Sequence, residues 1–172
     1  GCGRSEAAPP HAAVDGRIVD LGRVGIPVGS ADVSVLATLT TAGFVPVVAS
    51  IGLGADGRLF NVNADTFAGH VAARLGARRL VIAGTTPGVL DEAGATIPVV
   101  DVDGAARLIG GGTATAGMIA KLRACTDALA GGVGDVLIVN GGDAATLEAA
   151  AADGAPPGTT RLVPATAAAG RA

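Results

Sequence analysis

The sequence has no tryptophan, no tyrosine, two cysteines, one methionine and one lysine. Its sole aromatic type is Phe, at three positions, which leaves no useful absorption at 280 nm. Cys2 and Cys125 cannot make a disulfide framework, so the cysteine count fits a reducing compartment and a cytoplasmic location is expected. No apolar run approaches the roughly 20 residues that a membrane helix requires, and residues 1–13 lack the apolar centre of a signal peptide. Neither a membrane nor an export signal is expected. Positive charge is nowhere clustered: the formal charge is −3, and no Lys/Arg-rich run could displace counterions from phosphates, which excludes a nucleic-acid surface. His11 and His70 stand alone, without Cys or carboxylate at ligand spacing, so no metal site is read. No Ser sits in a G-x-S-x-G elbow, which leaves hydrolase chemistry without support.

What is present is 172 residues at 49% hydrophobic, enough for one domain or one large lobe with a real core. The 28 glycines and nine prolines fall between apolar runs with no G-X-Y period, as in a globular chain. The chain begins at Gly1 rather than Met, so a longer product, trimmed or truncated, is expected. Residues 1–14 read as a flexible leader, 15–165 as one domain and 166–172 as a tail. Strands are expected at 17–21, 45–50, 58–62, 80–83, 97–100, 136–139 and 161–163. Helices are expected after Asp32, Asp65 and Asp103 as caps, and over 117–130 and 144–152. This alternation implies an α/β fold, a three-layer αβα sandwich around a mainly parallel sheet.

Three local patterns bear on chemistry. Gly52-Leu53-Gly54-Ala55-Asp56-Gly57 matches the dinucleotide pattern G-x-G-x-x-G, but a strand pattern follows it where a helix N-terminus is needed. A hairpin turned at Asp56-Gly57 is the better reading. Gly112 to Gly117 is spaced like the start of a P-loop but runs into Met118 instead of Lys-Ser/Thr. The physics survives the failed pattern, because a small-residue loop entering a helix presents free amides to an anion. Lys121, the single lysine against eleven arginines, lies one turn in and offers a compact point charge suited to a phosphoryl oxygen, although a solvated helix lysine has the same sequence signature. In Asn61-Val62-Asn63-Ala64-Asp65, alternation puts both asparagines on one side at a strand's carboxyl end, where α/β sheets bind ligands; a helix cap reads equally well.

Taken together, GFVPVVASIGLGADGRLFNVNADTFAGHVAARLGA, TTPGVLD, GTATAGMIAKLRACTDALAGGV and PPGTTRLV resemble the carboxyl-terminal, nucleotide-binding part of the N-acetylglutamate kinases, in the amino acid kinase family. The resemblance covers about residues 15–163 and implies a truncated amino acid kinase-like fold. It implies that Asn61 and Asn63 bind acetylglutamate, that Asp65 orients catalytic lysines and that Lys121 stabilises the transferring phosphoryl group. Nucleotide contacts are implied for Thr85, Thr86, Pro87, Gly88, Val89 and Leu90, and for Thr113, Ala114, Thr115, Gly117 and Lys121. The implied reaction is ATP-dependent phosphorylation of the side-chain carboxylate of N-acetyl-L-glutamate in arginine biosynthesis, with Mg2+ carried by ATP.

Departures accompany the likeness. Thr85 stands where the family commonly has Asp in T-D-V-P-G, which removes a charge but keeps a hydroxyl. Ala116 replaces a usual glycine. The family's K-x-G-G-S strand and G-G-G-P loop, which carry a second phosphate lysine and much of the acceptor pocket, have no counterpart, and a pocket arginine is missing with them. A homo-oligomer or a partner supplying that lobe is therefore expected. A non-catalytic nucleotide-binding or regulatory subunit is the alternative, and a kinase of an aminoadipate carried by a protein is a third reading, which Asn63 disfavours.

Overall fold

In the amino-terminal part run β1 (Ser5–Ala7), β2 (His11–Ala12), β3 (Ile18–Val19), β4 (Val24–Pro27), α1 (Ser34–Thr41), β5 (Ile51–Leu53), β6 (Leu59–Val62) and α2 (Ala64–Leu75). The carboxyl-terminal part adds β7 (Arg79–Gly84), β8 (Val99–Asp101), α3 (Val102–Gly110), α4 (Ala116–Ala130), β9 (Asp135–Asn140), α5 (Ala144–Ala151) and β10 (Thr160–Val163). This computed structural model describes residues 3–9, 11–12, 18–29, 32–112, 114–152 and 154–165.

The α/β class holds, but the strands divide into two four-stranded mixed sheets and a two-stranded ribbon instead of one mainly parallel sheet. In the first sheet the order is β1-β4-β6-β5, with only the β4–β6 pair parallel. Part of the expected leader belongs to it, since β1 pairs with β4; His11–Ala12 forms the separate ribbon with Ile18–Val19, the described piece of the strand expected at 17–21. The hairpin reading of the glycine-rich stretch is what forms. Gly54 N–H donates to the Arg58 carbonyl, Gly57 takes φ 76° in the turn, and β5 and β6 pair antiparallel. The strand expected at 45–50 does not form. Val45 and Val47 are 88% and 97% exposed and the strand begins only at Ile51, because an apolar run becomes a strand only where a neighbour supplies backbone partners.

The second sheet, β7-β9-β10-β8, carries the core. Five consecutive residues of β9 are buried, which only a strand covered on both faces can achieve. Val136 and Ile138 face a cluster with Leu122, Cys125 and Leu129 of α4, while Leu137 and Val139 face Ala150 of α5. The three-layer arrangement expected from sequence is thus realised around this sheet. Across its amino edge Asp135 ties three strands, accepting two hydrogen bonds from Arg79 of β7 (3.0 and 2.9 Å) and one from Arg161 of β10 (2.8 Å).

At α2 and α3 the cap falls two residues earlier than expected, on the residue whose non-helical backbone turns its side-chain oxygen onto the free amides. Asn63, not Asp65, caps α2 by accepting from Thr66 N–H at 3.0 Å, and Asp101, not Asp103, caps α3 by accepting from Gly104 N–H. At α1 the capping position is Val33, with Asp32 accepting from Ser34 N–H. Releasing Asp65 from capping leaves its carboxylate free for another partner. Helices α2 and α4 pack closely because residue 69 is glycine: a Cβ there would lie 3.0 Å from the Ala124 carbonyl oxygen.

Candidate functional site

One turn from that crossing, Asp65 in the first turn of α2 meets Lys121 of α4. Lys121 Nζ lies 3.1 and 2.8 Å from the two carboxylate oxygens, and the two side chains are 22% and 18% exposed. A charge pair so placed is partly desolvated yet reachable, so an arriving anion can engage the ammonium without a large rearrangement. Beneath it Gly84 ends β7; a Cβ there would touch Lys121 Cε at 3.4 Å. Gly84 is in register with Asn140 at the end of the parallel neighbour β9. Lys121, Gly84 and Thr85 therefore share an open depression of about 660 Å³ with Asn140, Gly141 and Gly142, at the carboxyl edge of a parallel strand pair.

A second hollow of about 210 Å³ brings together two segments far apart in sequence. Thr86, Gly88, Val89, Leu90 and Asp91 form one wall and Ala114, Thr115 and Met118 another. Thr115 caps α4, its hydroxyl accepting from Met118 N–H at 3.3 Å, so the helix begins at this wall. Thr85 and Thr86, adjacent in sequence, line the two hollows and make their boundary.

Of the residues singled out from sequence, Asp65 and Lys121 pair directly. Thr86, Gly88, Val89 and Leu90 meet Ala114 and Thr115. Pro87 lies within that turn without lining the hollow, Gly117 is exposed in the first turn of α4, and Thr113 falls outside the described residues. Asn61 and Asn63 are both exposed, with Val62 buried at 2% between them, but neither lines either hollow. The Asn63 amide is engaged as the α2 cap. Sequence reasoning passed over Asn140, Gly141 and Gly142, although a strand followed by Asn-Gly-Gly-Asp and a helix signals a turn at a carboxyl strand end. Cys125, one turn beyond Lys121, is no nucleophile: burial pushes its thiol up to about 12, with Asp65 adding to the effect and Lys121 opposing it. Among the described residues no group of three or more His, Cys, Asp or Glu is placed to hold a metal, and no helix is long and apolar enough to cross a membrane.

Comparison with known proteins gives the family and the fold. The profile of the amino acid kinase family matches residues 6–140. The acetylglutamate kinase of Geotalea uraniireducens is 45% identical over 129 residues, 74% of this chain and 44% of that protein. That of Acidiphilium cryptum is 45% identical over 132 residues, 77% of this chain and again 44% of the relative. The chain thus spans less than half the length of these curated relatives. Among solved structures, N-acetylglutamate synthase from Neisseria gonorrhoeae, in complex with coenzyme A and L-arginine, superposes with a TM-score of 0.74 over 94% of this chain and 37% of that one, at 23% identity, a likeness of fold. With the profile covering most of the chain and two kinase-named relatives at this identity, the protein belongs to the amino acid kinase family.

Proposed function

We propose that this chain forms the nucleotide-binding part of an acetylglutamate kinase, in which ATP with Mg2+ phosphorylates the side-chain carboxylate of N-acetyl-L-glutamate in arginine biosynthesis, in the cytoplasm. The observation that carries the proposal is the Lys121–Asp65 pair beside the place where the 85–90 turn meets the start of α4. Phosphoryl transfer asks a protein mainly to position two anions and to neutralise charge spread over the equatorial oxygens. Lys121 supplies that charge in this reading, and Asp65 holds the ammonium in place while remaining on the acceptor side. The hollow between Thr86, Leu90, Thr115 and Met118 takes the nucleoside, and the glycine-edged depression under Lys121 takes the phosphates. Asn61 and Asn63 would contribute to the acceptor side, next to a segment supplied by a partner or a second copy.

Calorimetric titration with Mg-ADP tests the nucleotide half: heat of binding is expected, and none at millimolar ADP overturns it. Turnover tests the other half. Two anions must be brought together, and this chain has one lysine in total, so alone it should phosphorylate acetylglutamate barely or not at all. Adding a polypeptide with the K-x-G-G-S and G-G-G-P segments should restore activity. Thr85, a hydroxyl where the family commonly has a carboxylate, favours the second reading, a non-catalytic nucleotide-binding subunit, which predicts ADP binding without restoration.

A further inference from the structure

Val89 and Ile97 face each other in a short antiparallel pairing that continues through Leu90–Thr96. Such a pair ordinarily exchanges two backbone hydrogen bonds. Here Ile97 N–H donates to the Val89 carbonyl at 2.8 Å, but the return bond is not direct. Val89 N–H donates instead to Thr160 Oγ1 at 2.8 Å, and the same hydroxyl donates to the Ile97 carbonyl at 2.8 Å. A side chain from another strand has been inserted into the ladder. Thr160 is fully buried and Val89 is 2% exposed, so neither the amide nor the hydroxyl has water as a substitute partner. A hydroxyl has one proton to give, and that proton is committed to Ile97.

The neighbouring glycine fits this arrangement. A Cβ on Gly88 would collide with Thr160 Oγ1 and would lie 2.9 Å from Thr160 N, so the 85–90 turn can rest on β10 only with glycine at 88. Thr160 itself sits opposite Ile138 in β9, the strand that leads to Asn140 and the depression under Lys121. The turn therefore takes its position from the central sheet through one side-chain oxygen.

We infer that Thr160 is a positioning residue for nucleotide binding, fixing the Thr86–Leu90 wall at its working distance from the start of α4 while touching no ligand itself. The inference rests on the nucleotide reading of that hollow. Thr160→Val keeps the shape but leaves the Val89 amide and the Ile97 carbonyl unpaired, and it should weaken Mg-ADP binding about tenfold or more. Thr160→Ser keeps the hydroxyl and should bind within about threefold of the unaltered chain. Leu162→Ala damages the same strand from the core side and serves as the control for general destabilisation. It should lower Tm yet leave ADP affinity within about threefold when measured well below Tm.

Unchanged affinity in Thr160→Val, or an equal loss in Leu162→Ala, overturns the inference. Absence of ADP binding by the unaltered chain overturns the nucleotide reading beneath it, a result distinct from an indifferent Thr160→Val in a chain that binds. Should Thr160→Val fail to fold, amide exchange in the unaltered chain decides. Exchange at Val89 as slow as in the middle of β9 supports the latch, and exchange as fast as in the turn at Gly57 sinks it.

Discussion

The two four-stranded sheets of this protein have opposite fates: strands of the first run three or four residues, and the two longest of the second, β7 and β9, run six. In the second, apolar side chains on both faces of β9 disappear beneath α4 and α5. In the first, Ile51, Leu53 and Leu59 stay half exposed or more, and Phe44, Val45 and Val47 beside them are open to solvent. Charge follows the same division. Asp135 is buried and held by two guanidinium groups, whereas Asp56 meets Arg58 at 3.5 Å with both side chains more than half exposed. Backbone pairing alone therefore does not make a core; the helices laid on a sheet decide whether its hydrophobic residues stabilise anything.

Substitutions can break or sharpen this contrast. Leu137→Ala in the second sheet should cost about 2–5 kcal/mol in urea unfolding, because the α5 side of β9 cannot collapse without moving a helix. A smaller loss would mean that this sheet is less tightly covered than it looks. Lys121→Ala tests the pair that joins the halves, since Asp65 follows the first sheet and Lys121 lies over the second. In the reconstituted enzyme it should lower turnover about 10²- to 10³-fold, and Lys121→Arg should restore only part, since a planar fork fits a point-charge site poorly.

Acid should act mainly on the second sheet. Burial raises Asp135, but the hydrogen bonds and charges of Arg79 and Arg161 outweigh it and hold the carboxyl below its ordinary value. The stabilisation is then complete above the unfolded carboxylate's value and is lost as pH falls through the lower, folded one. Thermal unfolding should show a steep loss below about pH 4, which Asp135→Asn flattens while lowering Tm at pH 7. The smallest effect is expected in the first sheet, where Leu59→Ala should change stability by about 0.5 kcal/mol or less. A cost near that of Leu137→Ala would show that the exposed face is covered in solution.

Legibility in the sequence followed the same divide. Strands β7, β9 and β10 and helices α2, α4 and α5 were found to within a residue or two, because continuous burial and helical periodicity are local signals. The 45–50 run was misread as a strand because hydrophobicity there is not matched by a pairing neighbour. Strand β4 was missed because Val-Gly-Ile-Pro carries little strand signal, and its place depends on contacts with β1 and β6. At the site, the proximity of Asp65 to Lys121 came from family likeness, as no spacing rule links residues 56 apart. Asn140 to Gly142 join the site only through the register of β7 and β9, which sets Asn140 beside Gly84. Thr160 carries no sequence signature at all, since a buried hydroxyl between two backbone groups is created only by the fold.

The contact between Gly69 and Ala124 sets a tolerance for chemistry that neither residue performs. Helix α2 is packed against α4 at a backbone oxygen that cannot swing aside as a side-chain tip can, so even one added methyl group must separate the axes by a few tenths of an ångström. Asp65 and Lys121 ride on those axes. The reach between carboxylate and ammonium is thus calibrated at an uncharged crossing one turn away, and a change too small to register as a packing defect could still detune the electrostatics of the cleft.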